Sequence, residues 1–164
     1  MRPTKRSIYL SLLLLFIACG VGQTAEELWR SSEGQVRARK YRKAIRTLEK
    51  LVATYPEHAL APKALFQTGD IFMNNMDDLQ SSVTAYQETT ILYPDTDEGV
   101  KALFMVGFVY ANHLKDYEAA RQAYTGFMDQ YPNHELIPSV KFELENLGKS
   151  ADEIEALKGV TNAI

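Results

Sequence analysis

TYPEHALAPKALF, residues 54–66, runs from an aromatic-proline pair through a polar turn into the start of an apolar segment. The fold follows from its recurrence. Tyr55-Pro56, Tyr93-Pro94 and Tyr131-Pro132 stand 38 residues apart both times, and each pair is followed eleven residues later by Phe66, Phe104 or Phe142. The same offset aligns Lys63-Ala64-Leu65-Phe66 with Lys101-Ala102-Leu103-Phe104, Gly69 with Gly107, and Phe72 with Tyr110. A second set aligns in threes: Tyr41, Leu79 and Tyr117; Ala44, Ser82 and Ala120; Leu48, Tyr86 and Tyr124.

Within each unit the apolar positions recur at three and four, the helical period. Two such runs are separated by polar turns, NNMDD at 74–78 and NHLKD at 112–116. Each unit therefore predicts a helix-turn-helix. Gly69 and Gly107 fall on the first helix of their units, and Ala44, Ser82 and Ala120 on the second, where two antiparallel helices approach closely. A glycine inside a helix costs about 1 kcal/mol relative to alanine, so its return at one phase implies a contact that needs the space. Proline after each second helix ends it, because it lacks the amide donor and clashes with the preceding turn.

The small residue at Gly107, then Tyr110, Tyr117, Ala120, Tyr124 and Pro132 resemble the tetratricopeptide repeat, whose basic length is about 34 residues. The longer period looks like the repeats of bacterial envelope proteins, such as the lipoprotein subunit of the outer-membrane β-barrel assembly machinery and the Tol-Pal-associated periplasmic coordinator. The resemblance covers roughly residues 25–148. It implies an all-α, right-handed α-solenoid of three repeats, at about 25–60, 61–98 and 99–136, plus a C-terminal capping helix at 138–147. One extra residue is expected in the helix-helix turn and the rest in the Tyr-Pro connector. Repeat one needs a turn one residue shorter to bring Leu28, Trp29 and Ser32 onto Leu65, Phe66 and Gly69. The cap keeps Phe142 but carries Glu145 where a glycine would face a partner, which suits the polar outer face of a terminal unit. Gly148 stops it, and Ser150 with Glu153 forms a capping-box pattern opening a short helix at 151–158 within the tail 149–164.

Residues 1–18 stand apart. Arg2, Lys5 and Arg6 precede the apolar run IYLSLLLLFIA at 8–18, which is too short to span a bilayer and reads as an export signal. Cys19, the single cysteine, follows directly. Leu15-Phe16-Ile17-Ala18-Cys19 resembles a bacterial lipobox, in which the cysteine is acylated and becomes the new N-terminus. Phe16 departs from that pattern. Ordinary cleavage at the small residues Ala18, Gly20 and Gly22, or an uncleaved anchor, are the alternatives. Residues 19–24 read as a linker. Without residues 1–18 the chain holds 15 cations against 21 acids, a formal charge of −6, which argues against nucleic acid as a partner. The cations cluster: Arg37, Arg39, Lys40, Arg42, Lys43, Arg46 and Lys50.

His58 and His134 occupy equivalent connector positions, with Thr96 between them in the same role, so they read as turn-closing residues. His113 lies in another phase. No ligand cluster, phosphate loop or nucleophile motif nominates an enzyme, and no cofactor is expected. Trp29, Phe66 and Phe104 share one phase, which the resemblance places toward a concave peptide groove, flanked by Lys63 and Lys101, Asp70 and Phe108, Met73 and Ala111, Asn74 and Asn112. The alternative is that the rings only pack neighbouring first helices. Asn74 and Asn112 read best as helix C-caps. Arg42, Arg46 and Lys50, spaced by four, form a positive stripe facing anionic head groups or an acidic partner, or else a solvated face relieved by Glu49.

The sequence thus predicts a non-catalytic interaction scaffold or adaptor, exported, facing the periplasm and tethered through a lipid on Cys19, outer-membrane placed because Gly20 carries no acidic retention signal. Its partners are envelope proteins. A soluble periplasmic regulator of a cell-wall or assembly enzyme is the alternative.

Overall fold

Apolar residues spaced by three and four close into helices throughout the described part of the chain. The computed structural model describes residues 22–150 together with 152, 153 and 155. The export segment 1–18, Cys19 and most of the terminal helix expected at 151–158 lie outside the described residues. The delimited α-helices are α1 (Ala25–Arg37), α2 (Tyr41–Thr54), α3 (Leu60–Ile71), α4 (Leu79–Leu92), α5 (Asp97–Phe108), α6 (Tyr117–Gln130) and α7 (Ile137–Glu145). Each packs on the next, giving an all-α tetratricopeptide-like solenoid. No helix among the described residues is long and apolar enough to cross a membrane.

Gly69 and Gly107 make room for a ring. A Cβ at Gly69 would sit 2.6 Å from Cε1 of Tyr86, and one at Gly107 2.5 Å from Cε1 of Tyr124. Both tyrosines are fully buried, each worth on the order of 1.5–3 kcal/mol in removed apolar surface. Phe66 tilts onto Tyr86 with centroids 5.2 Å apart, and Phe104 onto Tyr124 at 5.8 Å. Repeat one keeps the geometry with smaller parts: Ser32 replaces the glycine, Leu48 replaces the tyrosine, and both are buried. The Ser32 hydroxyl donates to the Trp29 carbonyl at 2.6 Å, so it costs nothing to bury.

The extra residue of repeats two and three lies inside the first helix and not in the turn after it. The segments Phe72–Met76 and Val109–Leu114 are π-helical continuations of α3 and α5; a π-turn is how a helix absorbs one inserted residue. α1 has no such segment and ends directly at Arg37. All three turns then pass through one left-handed residue, Arg39, Asp77 or Lys115. The C-caps of the π-segments are therefore Asp77 and Lys115, not Asn74 and Asn112, which stand within the π-turns. The second helices of repeats two and three are capped by aspartates: Asp78 accepts from the Ser81 amide and Asp116 from the Ala119 amide. At the same position repeat one has Lys40, which makes no capping bond.

The connectors also repeat. The Tyr55, Tyr93 and Tyr131 carbonyls accept from the amides of His58, Thr96 and His134. Those three side chains then accept from the amides of Leu60, Gly99 and Leu136, each at 3.1 Å. The Tyr131 hydroxyl donates to the Pro94 carbonyl and the Tyr55 hydroxyl to the Gln23 carbonyl, both at 2.8 Å. Beyond α7, Gly148 adopts φ 81° and Ser150 exchanges hydrogen bonds with Glu153.

Gly107→Ala should lower stability by about 1–3 kcal/mol through overpacking against Tyr124, read as a fall in melting temperature by circular dichroism. Adding Tyr124→Leu should make the pair less harmful than the sum of the singles by more than about 0.5 kcal/mol. Additive losses would mean that the ring does not sit on the glycine.

Candidate functional site

First helices of successive repeats pack on one another more closely than second helices do. The array therefore curves toward the α1, α3, α5 side, and the α2, α4, α6 side opens into valleys.

On the inner side, Trp29, Phe66, Phe104 and Phe108 are half-buried, and Lys63 and Lys101 are exposed. The rings of Phe66 and Phe104 engage tyrosines of their own repeat, leaving part of each surface toward solvent. Asp70 accepts the Tyr86 hydroxyl at 2.6 Å. Burial pushes its carboxyl above the ordinary value of 3.8, with the Tyr86 bond pulling part of the way back. One repeat later Phe108 stands in place of Asp70, and the buried Tyr124 hydroxyl has no hydrogen-bond partner. Burial, aided by the charge of Glu143, raises the Tyr124 phenol well above its usual 10. Phe108 meets the His113 ring edge-on at 5.7 Å.

The histidines do not converge. Among the described residues no group of three or more His, Cys, Asp or Glu side chains could hold a metal ion, and His58 Nε2 lies 3.1 Å from Glu26 Oε1, within hydrogen-bond distance. Arg42, Arg46 and Lys50 are all exposed on α2. Lys50 Nζ donates to the Gln23 side chain at 3.0 Å.

The outer valleys were not anticipated from the sequence. In repeat three, Leu103 and Val106 of α5 and Tyr110 of the π-segment after it form the floor of a cleft of about 560 Å³ walled by Gln87, Thr90 and Ile91 of α4 and by Ala119, Gln122 and Ala123 of α6. Shifted back by one period, Leu65, Thr68 and Phe72 floor a smaller cleft of about 250 Å³ whose walls include Glu49 and Glu88. In repeat one the corresponding walls carry Lys43, Arg46 and Lys50. Only the third of these three clefts has no charged lining. Its rim residue Ile91 is 75% exposed and the adjacent Leu92 57%, a cost that the repeat itself does not require, since the aligned residues are Ala53-Thr54 and Asp129-Gln130. That mismatch was the available signal.

Residues 22–150 match the family YfiO, described as outer membrane lipoprotein. No curated protein matches the chain.

Tyr86→Phe should cost about 1–2 kcal/mol by stranding Asp70, whereas Tyr124→Phe should be neutral or stabilising because it deletes an unpaired buried hydroxyl; denaturant titration separates the two. Asp70 also carries a pH signature. Its folded pKa lies above 3.8, so the folded protein holds the proton more tightly than the unfolded chain does. Its contribution to stability therefore falls as pH rises from 3.8 through the raised value. Asp70→Asn keeps an acceptor for Tyr86 and should melt no lower than the parent at neutral pH. That margin should shrink as the solution is acidified into this window, and a margin independent of pH would exclude the assignment.

Proposed function

We propose that the chain, which belongs to the YfiO family of outer membrane lipoproteins, is a non-catalytic scaffold that holds a segment of another envelope protein against its second-helix side. Membership makes it an exported protein at the outer membrane, facing the periplasm. The anchor in this reading is an acyl group on Cys19: a lipoprotein needs a cysteine to carry the lipid, and Cys19 is the single cysteine of the sequence. Several acyl chains together hold a protein firmly, since each buried methylene contributes about 0.8 kcal/mol.

The observation that carries the docking site is the uncharged cleft of repeat three beside the exposed Ile91 and Leu92. Its apolar floor and amide-bearing walls, Gln87 and Gln122, fit the apolar face of a partner segment, with polar groups at the edge for its backbone or flanking side chains. A second reading places the segment on the inner side, across Trp29, Lys63, Phe66, Lys101, Phe104 and Phe108, and is favoured by the half-exposure of those rings at a common phase.

Mass spectrometry of the mature N-terminal peptide should find Cys19 acylated and first in the chain; a start beyond Cys19 would instead make the protein a soluble periplasmic regulator. For the docking face, crosslinking in intact cells is expected to lose its captured protein by more than about tenfold in Ile91→Asp, with helicity retained. Capture that survives Ile91→Asp but fails in Phe66→Ala and Phe104→Ala with helicity intact would move the site to the inner side.

A further inference from the structure

The first repeat departs from the other two where a second helix begins. Asp78 and Asp116 cap α4 and α6 with backbone torsions of φ −95°, ψ 76° and φ −86°, ψ 83°. Lys40 holds nearly the same backbone, φ −90°, ψ 56°, yet offers no acceptor. It is followed by Arg42 and Lys43, with no acidic residue in the first turn of α2. Cations at this end of a helix oppose its dipole, and the Lys43 amide, which an aspartate would cap, donates instead to the Lys40 carbonyl at 3.0 Å. The arrangement works against stability, so the charges answer to something else.

What they form is a surface. Arg39, Lys40, Arg42, Lys43 and Arg46 surround a shallow depression of about 410 Å³ with Tyr41 and Met76 within it. All five cations are exposed, and none forms an ion pair with a described acid. Lys50 continues the stripe along α2, and its ammonium is bonded to Gln23. Gln23 is also fixed through its carbonyl to the Tyr55 hydroxyl. Cys19 lies four residues before Gln23, so at most about 14 Å of extended chain separates the anchor from this end of α2.

We propose that the basic face of repeat one lies on the membrane that holds the anchor and binds the phosphate-bearing head groups of anionic phospholipids, with α2 along the surface. The fit is one of charge and of reach. A flat negative surface engages a row of exposed cations none of which is ion-paired to a described acid, Glu49 included, and the pinned linker brings that row within range. Tyr41 and Met76 supply apolar surface at the interfacial depth, while the longer cationic chains extend to the phosphates. This rests on the anchoring proposed above only for the reach of repeat one.

The test is made without the acyl group, so that its outcome and that of the Cys19 measurement are independent. The processed chain carrying Cys19→Ser is mixed with vesicles of phosphatidylcholine alone, or with a third of it replaced by phosphatidylglycerol, and partitioning is read by sedimentation. Binding should require the anionic lipid and be lost toward about 0.5 M salt. Reversing Arg42, Arg46 and Lys50 to glutamate should lower it on the order of a hundredfold, while reversing the exposed Arg121, Lys141 and Lys149 leaves it within a few-fold. Lys40→Asp should raise the melting temperature and weaken partitioning together, which a merely misfolded variant could not do. Equal binding to both vesicles, equal loss in the two triple variants, or binding of an acidic peptide with no affinity for the charged vesicles would overturn the proposal.

Discussion

The rest of the solenoid depends on how closely a first helix can approach the tyrosine of the second. Tyr86 and Tyr124 lie over the missing Cβ atoms of Gly69 and Gly107. That single contact fixes several things at once. It sets the spacing of each antiparallel pair, and it turns Phe66 and Phe104 onto the tyrosine rings instead of out into solvent. It also carries the phenol toward the inner side, where Asp70 receives one hydroxyl and nothing receives the other. Ser32 with Leu48 shows the same constraint satisfied by a different division of volume.

Much of this was legible in the sequence, because backbone geometry repeats only if the residues that enforce it repeat. The three Tyr-Pro pairs and the polar residue three positions on from each tyrosine announced the connector, and the bond from that residue's amide to the tyrosine carbonyl is present in all three copies. Other features were hidden for identifiable reasons. Ten residues separate Gly69 from Leu79 and nine separate Ser32 from Tyr41, but a count cannot say whether the extra residue loosens a turn or widens a helix. The aromatic phase was visible; what each ring touches was not, since a half-buried ring satisfies both a groove and a core pattern. The outer cleft depends on three helices meeting, so no single run of residues encodes it. Ile91 and Leu92 marked it only as an exception within the period.

The three repeats share a skeleton and differ on their outer faces. The corresponding valley is cationic in the first, edged by glutamates in the second and neutral in the third. A solenoid permits this, because each unit is stabilised by its own pair and its neighbours and not by a common centre. One end can therefore face a charged surface while the other meets an apolar segment, and the middle unit keeps the two chemistries apart.

The pinning of Gln23 bears on mechanics. A tension applied through the linker reaches residue 23 before it reaches α1, and there it meets two bonds into α2 and the connector behind it, from Lys50 and from Tyr55. Those two bonds direct part of such a load onto α2 and the connector before it reaches the first turn of α1. Anchored through Cys19 and holding another chain, as proposed above, the protein would be pulled at both ends, and the end nearest that anchor is the one fastened sideways.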